Sequence, residues 1–324
     1  MVHAIRIHEY GGPEVLRWEE VEVFEPGPGH VRIRQTAVGL NYIDTYHRSG
    51  LYKLPQLPAV IGTEGAGVVE AVGPDVTTLK PGDRVGYAGP IGAYAESRLV
   101  PADRLIPLPS WIDDRQAAAM LLQGMTAQFL LRSTYAVQPG DTILVQAAAG
   151  GVGLLLCQWA KHLGATVIGT VSSDEKAELA KAHGCDHPIV YTRENFVARV
   201  KDITDGQGVP VVYDGVGKTT FMDSLDCLRP RGFMVLFGAA SGPVPPLDLQ
   251  LLAAKGSLYV TRPTLFTYIA KRDDLMSSAA ELFEVVHTGG VKVEVGQTFP
   301  LRDAAEAHRA LEARATTGST VLLP

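Results

Sequence analysis

Four groups of residues in this 324-residue chain are candidates for chemistry by type and spacing. The first is Ala148-x-Gly150-x-x-Gly153, set between the apolar run TILVQ and a second apolar run that starts at Leu154. A turn that receives the pyrophosphate of a dinucleotide needs small residues at this spacing for three reasons. It must bend tightly, let the phosphates reach backbone N–H groups, and bring helix and strand into close contact. Gly150, Gly151 and Gly153 meet these demands, Ala148 stands where the first glycine usually lies, and Ala149 and Val152 complete the turn. The open amides and positive end of the following helix would hold the phosphates. A plain strand-to-helix turn in a packed core has the same pattern.

The second group lies where a cofactor with a free ribose 2′-OH usually meets an acidic residue, about 20 positions beyond the glycines. The stretch there is TVSSDEK. The hydroxyls of Ser172 and Ser173 with the ammonium of Lys176 suit a 2′-phosphate, so NADPH is the expected cofactor. Asp174 is the discordant residue and leaves NADH open. Ser172 also reads as a helix N-cap with Glu175 as its capping-box partner, and the two roles are compatible.

The third group is GLNYIDTYHRSGLY, in which Asn41, Asp44 and Thr45 share one helical face and Tyr42 and Tyr46 lie one turn apart. Asn41 could orient a nicotinamide or an acceptor, or cap the helix. Tyr46 and Tyr52 could present hydroxyls to a substrate or simply pack. A fourth group, HGCDH at residues 183 to 187, crowds two His, a Cys and an Asp together. Gly184 should end a helix there and His187 begin a strand, so the side chains should diverge and no metal site is expected.

Elements must hold these groups in place. In the first hundred or so residues, HVRIRQTAVG alternates Val31 and Ile33 with Arg32 and Arg34, the period of a half-buried strand. EPGPGH, GPDV and KPGDRV supply turns, so this part is a small, irregular, mostly β unit. From about Asp113 the composition turns Ala- and Leu-rich, predicting two helices broken near Gly124. Six strand-like runs follow, TILVQ, ATVIGTV, PIVY, VPVVYD, FMVLFG and SLYVT. Helical stretches lie between them around 154–163, 175–183, 196–203, 221–228 and 247–255. Most of these strands are apolar throughout, as a parallel sheet covered on both faces requires. The expected fold is α/β with a doubly wound, six-stranded nucleotide-binding domain. The tail after Pro263, with a helix at RDAAEAHRALEAR and a last strand at STVLLP, should return to the first domain.

Bulk properties narrow the function. A net charge of −6 with scattered Lys and Arg offers no footprint for nucleic acid. Three well-separated cysteines, Cys157, Cys185 and Cys227, argue for reduced thiols in a cytoplasmic protein. No apolar run reaches the ~18 residues of a membrane span. A homodimer through the edge strand SLYVTRP is expected, since an apolar sheet edge invites pairing.

The stretch GDTILVQAAAGGVGLLLCQWAK resembles the signature of the quinone oxidoreductase branch of the medium-chain dehydrogenase/reductase superfamily, the zeta-crystallin-like group. GLNYIDTYHRSGLY, GTEGAGVVEAVG, KPGDRV, YVTRP and ARATTGSTVLLP are similar to that branch too, so the likeness runs end to end. The resemblance implies a GroES-like catalytic domain from residues 1–125 and 264–324, a Rossmann domain at 126–263, and NADPH in the cleft. It further implies that Tyr191, near the 2′-phosphate, and Phe237, Gly238, Thr261 and Arg262, nearer the nicotinamide half, line the cofactor path. Arg314 is expected either to meet a cofactor phosphate or to be a solvated helix-end charge, and the nicotinamide is expected near Asn41, Tyr46 and Thr126.

The larger members of that superfamily hold a catalytic zinc on the Cys of Gly-x-Cys-x-x-Asp and the His of Gly-His-Glu. Here those places are Gly39-Leu40-Asn41-Tyr42-Ile43-Asp44 and Gly62-Thr63-Glu64. Asparagine and threonine are no substitutes for thiolate and imidazole. The expectation is therefore no metal and no alcohol dehydrogenase activity. Without a Lewis acid the acceptor must need little polarisation, which a quinone satisfies, and Asn41, Tyr46, Tyr52, Thr63 and Thr126 are the candidates for contact with it. Reduction of an enone C=C bond is the nearest rival, because it offers hydride the same vinylogous carbonyl. An NADPH-binding RNA-binding or structural protein is the rival from another class.

Overall fold

Alternating residues build the sheets of one part of the chain, which the computed structural model describes over residues 1–324. That unit comprises Met1–Gln123, Ile269–Ala279 and Val293–Pro324. Its small sheet pairs β1 (Val2–Ile7) with β2 (Arg17–Val21) and β4 (Ala59–Val60). Its larger sheet runs β15 (Val295–Pro300), β16 (Ser319–Leu323), β3 (His30–Leu40), β5 (Glu64–Val72), β6 (Arg84–Ala88) and β8 (Ile106–Pro107), and β7 (Ser97–Pro101) also pairs with β3. Val31 and Ile33 are buried and Arg34 is exposed, as the alternation requires. Of the tail, only Ile269–Ala279 and Val293–Pro324 join this unit, the rest belonging to the second. β16 lies antiparallel to β3 with Val321 opposite Gly39, and Leu301, Ala304, Ala307 and Leu322 enter the core around Ile5, Ile33 and Val100. The helices here are α1 (Tyr42–Ser49) and α10 (Ala304–Glu312).

The alternation of β3 fails near its end, where Val38, Gly39 and Leu40 are all buried. Gly39 explains why a side chain is missing there. A Cβ on it would overlap the Ala118 carbonyl oxygen and stand 2.5 Å from Glu64 Oε2.

One continuous helix, α2 (Asp114–Phe129), replaces the two expected on either side of Gly124, and it ends in a π-helical turn at Leu130–Thr134. Gly124 does not break it. A Cβ there would come within 2.5 Å of Leu282 Cδ1, so the glycine serves close packing against α9 (Arg272–His287) instead. The cost of glycine in a helix, about 1 kcal/mol, is small beside that packing.

The second unit comprises Gly124–Tyr268 and Ala280–Lys292. Its six strands are all parallel and all six expected runs supply one: β9 (Thr142–Val145), β10 (Thr166–Val171), β11 (His187–Val190), β12 (Val209–Asp214), β13 (Leu228–Leu236) and β14 (Tyr259–Thr261). Their spatial order is β11-β10-β9-β12-β13-β14, which reverses direction beside β9. The central residues Leu144, Val145, Val211 and Val212 are fully buried, the condition that apolar, non-alternating strands satisfy. The crossovers carry α3 (Gly151–His162), α4 (Asp174–Ala182), α5 (Phe196–Ile203), α6 (Phe221–Leu225) and α7 (Gln250–Ala254), and α8 (Leu265–Tyr268) follows β14. α3 starts at the glycines rather than at Leu154, and β13 starts five residues before Phe233 because Leu228 already pairs with Val209.

Candidate active site

The turn after β9 is built by its neighbours. Gln146 donates from Nε2 to Ser224 Oγ at 3.0 Å and accepts at Oε1 from Thr170 Oγ1 at 2.6 Å. The Ala147 N–H donates to the Thr170 hydroxyl at 3.2 Å. These bonds hold Ala147 at a φ of 56°, a left-handed conformation that alanine adopts only under constraint. α3 then opens with Gly150 as an N-cap whose missing side chain cannot serve the first amides. A Cβ on Gly153 would overlap the Ala147 carbonyl oxygen and stand 2.8 Å from the Ala148 carbonyl carbon. Tight bend, open amides and close helix–strand contact therefore coincide, and the residues fit a dinucleotide pyrophosphate. Ala148 and Ala149 are buried, Gly151 and Val152 half-buried and Gly150 exposed.

At the end of β10, the helix cap is Ser173, not Ser172. Ser173 is extended and its Oγ accepts from the Lys176 N–H at 3.3 Å. Ser172 instead offers its carbonyl to Thr192 Oγ1 at 3.3 Å. Tyr191 is exposed just past β11, its N–H bonded to the Val171 carbonyl at 3.1 Å. Phe237 and Gly238 follow β13, both amides turned to the Asp214 carbonyl. Asp214, buried and pushed upward in pKa by burial, braces the adjoining turn through the Val216 and Gly217 N–H groups and the Thr220 hydroxyl. Thr261 ends β14, and the exposed Arg262 donates to the Leu236 carbonyl at 3.2 Å. The glycine turn, Ser172, Ser173, Lys176, Tyr191, Phe237, Gly238, Thr261 and Arg262 thus all sit at the carboxyl ends of parallel strands. That is the edge where open α/β sheets bind ligands. Thr126 is a buried residue of α2 in this unit.

The other unit holds the remaining candidates. Asn41 is the N-cap of α1, yet its carboxamide is engaged elsewhere. It donates to Glu64 Oε2 at 2.7 Å and accepts from Gln123 Nε2 at 3.0 Å, while Asp44 reaches back to the Asn41 N–H at 2.9 Å. Glu64 also accepts from the Leu122 N–H at 2.7 Å. Thr63 donates to Asp44 Oδ1 at 2.9 Å, and Tyr94 donates to Asp44 Oδ2 at 3.1 Å. The Tyr94 oxygen contacts His308 Nε2 at 3.0 Å, whose Nδ1 meets Arg48, and Arg48 forks onto Glu312 at 2.6 and 3.0 Å. Burial pushes the Glu64 carboxyl up to about 8 and the Asp44 carboxyl up to about 7. Burial likewise lowers His308 to about 3, and the Arg48 charge adds to it. Tyr46 is buried and meets exposed Tyr52 edge-on at 5.2 Å between centroids. Arg314 is exposed beyond α10 with a φ of 59°.

Sequence reasoning passed over Glu64, Gln123, Tyr94 and His308 as members of this network. Glu64 alone left a signal, a charge at the head of the apolar run GAGVV. The side chains of HGCDH do diverge: His183 Nδ1 lies 2.8 Å from the Leu179 carbonyl, Cys185 is buried, and Asp186 takes Lys161 and the Val167 N–H. A zinc ion does not fit at Asn41 and Thr63. Both present hydrogen-bond donors to carboxylates, neither is a thiolate or imidazole, and no three His, Cys, Asp or Glu residues converge to hold a metal.

The family model described as alcohol dehydrogenase GroES-like domain matches residues 27–110, and the one described as zinc-binding dehydrogenase matches residues 151–284. A quinone oxidoreductase of Pseudomonas aeruginosa is 55% identical, with 100% of both chains covered. A 2-haloacrylate reductase from a Burkholderia species is 49% identical over 100% of this chain and 99% of its own. The crystal structure of Escherichia coli quinone oxidoreductase complexed with NADPH superposes with a TM-score of 0.98 at 48% identity, covering 99% of this chain and 100% of that one. With likeness of this extent in both sequence and fold, the chain belongs to the quinone oxidoreductase branch of the medium-chain dehydrogenase/reductase superfamily.

Proposed function

We propose that the protein is an NADPH-dependent quinone oxidoreductase that works without a metal. The observation that carries this reading is the turn at Ala147–Gly153, where backbone oxygen excludes any side chain at Gly153 and α3 opens with an uncapped glycine. The second unit binds the cofactor: amides at Gly151 to Gly153, in the turn formed with Ala148, Ala149 and Gly150, take the pyrophosphate, Ser172, Ser173, Lys176 and Tyr191 take the 2′-phosphate, and Phe237, Gly238, Thr261 and Arg262 flank the nicotinamide half. Bound NADPH supplies reducing equivalents from nicotinamide C4. Asn41, held by Glu64 and Gln123, presents a fixed amide for orienting acceptor or nicotinamide, and Thr63, Tyr46, Tyr52 and Thr126 complete the polar contacts. Arg314 is assigned to a cofactor phosphate. The catalytic part is taken as 1–125 with 264–324 and the cofactor part as 126–263.

Reduction of an activated C=C bond is the second reading, supported by the 2-haloacrylate reductase relative at 49% identity. Turnover of NADPH and NADH with a panel of quinones, enones and 2-haloacrylates tests both. Quinone-dependent oxidation of NADPH is the expected result, and exclusive activity on activated alkenes would replace the first reading with the second. No helix is long and apolar enough to cross a membrane. We further propose a cytoplasmic homodimer formed along β14, whose Tyr259 and Val260 are exposed at the sheet edge. Sedimentation tests the dimer.

A further inference from the structure

Asp174 opens α4 within the segment assigned above to the 2′-phosphate, and a carboxylate at that place ordinarily selects a free ribose. Next to a phosphate dianion it would repel. The fold sets a cation against it. Arg193 forks onto Asp174, with Nη1 donating to Oδ2 at 2.7 Å and Nη2 to Oδ1.

The placement of Arg193 is built into the backbone. The turn after β11 is tied to the end of β10 by the Tyr191 N–H on the Val171 carbonyl at 3.1 Å and by the Thr192 hydroxyl on the Ser172 carbonyl at 3.3 Å. It closes on itself through the Arg193 N–H and the Val190 carbonyl at 3.1 Å. The neighbouring Glu194 acts on Arg193 through its charge but not through a hydrogen bond, since its carboxylate accepts from the Val190 N–H at 3.0 Å and meets Arg199 at 3.2 Å. With Arg193 present, the formal charges of Asp174, Glu175, Lys176 and Arg193 cancel. Without it, the same surface is net negative. The planar guanidinium can cover both carboxylate oxygens at once, which an ammonium cannot.

We propose that Arg193 is a cofactor-specificity residue: by neutralising Asp174 it admits the 2′-phosphate of NADPH to a site whose acidic residue would otherwise favour NADH. The inference rests on the NADPH reading above. Arg193 acts through Asp174 and is not itself a catalytic residue. Its effect is moderate because both side chains are largely in solvent, 57% and 73% exposed, where water and salt screen charge.

The test is calorimetric titration of the full chain with NADPH, NADH and 2′,5′-ADP, for the parent protein, Arg193→Ala, Asp174→Ala and the double variant. Arg193→Ala should weaken NADPH and 2′,5′-ADP about tenfold while NADH stays within about twofold, the scale of a screened unit charge beside a dianion. Adding Asp174→Ala should restore NADPH to within about threefold of the parent, a coupling that only an interacting pair produces. Equal loss for both nucleotides, or no loss, overturns the proposal. So does a double variant as weak as Arg193→Ala, which would make Arg193 a direct phosphate ligand. A parent protein that prefers NADH removes the NADPH reading and the inference with it, whereas a parent that prefers NADPH alongside an indifferent Arg193→Ala removes the inference alone.

Discussion

The carboxamide of Asn41 is clamped from two sides, donating to Glu64 Oε2 at 2.7 Å and accepting from Gln123 Nε2 at 3.0 Å. Gln123 is itself oriented by Ser319, whose hydroxyl donates to Gln123 Oε1 at 2.9 Å. The plane of the Asn41 amide is thereby set by residues on three separate elements, β5, α2 and β16.

If that fixed amide orients the acceptor or nicotinamide, Asn41→Ala should lower kcat/KM by about ten- to a hundredfold, the range for loss of one well-placed polar contact. The NADPH Kd should change little. The variant should also lose about 1–3 kcal/mol of stability, because the buried Glu64 carboxyl forfeits a donor to Oε2. Unaltered steady-state kinetics alongside lowered stability would reduce Asn41 to a structural role.

Lys176 lies in the first turn of α4, beside the Ser173 cap. Lys176→Ala should raise the KM for NADPH by about tenfold and leave that for NADH nearly untouched, the signature of a charge-assisted contact to phosphate. Steady-state kinetics with both cofactors decide it. Equal losses would remove Lys176 from the 2′-phosphate site.

Gly153→Ala should fail differently. The new Cβ meets backbone at Ala147 and Ala148, which cannot swing aside as a side chain can. Binding of NADPH and NADH should fall together, and the unfolding free energy should drop by about 1–3 kcal/mol, as overpacking does. Fluorescence titration with both cofactors and urea unfolding check this. A variant that binds both normally would show that α3 can draw back from the turn.

The buried carboxyls make stability depend on pH. Folded Glu64 and Asp44 keep their protons up to about 8 and about 7, whereas the unfolded chain releases them near 4. The folded state thus binds more protons in that window and loses stability as pH rises through it. His47, lowered to about 4, and His308, lowered to about 3, act oppositely, since the unfolded chain takes up their protons below about 6.5. The two pairs oppose each other between about pH 4 and 6.5. From there to about pH 8 the carboxyls act alone and should cost on the order of 2–3 kcal/mol. Urea midpoints measured across that interval should fall, and Glu64→Gln should flatten the curve above pH 7. A parent protein whose midpoint rises over the same interval contradicts the proton inventory.

The pattern of residues was sufficient for whatever depends on near neighbours. Six strand-like runs became six parallel strands, and the central ones are apolar throughout because a strand buried on both faces must be so, wherever it is placed. The glycine turn was legible for the same reason, since a tight bend and a close helix contact are demands on residues a few positions apart. Distant partners were not legible. Gly124 reads as a helix breaker until Leu282 packs where its side chain would be. Asn41 is legible as the cap it is, but its hold on Glu64 and Gln123 is not, the latter being 82 residues further along the chain. Asp174 reads as a mark of NADH until the turn after β11 delivers Arg193. In each case the residue's own chemistry is local and its meaning is set by a side chain that only the folded sheet or helix brings within hydrogen-bonding or packing distance.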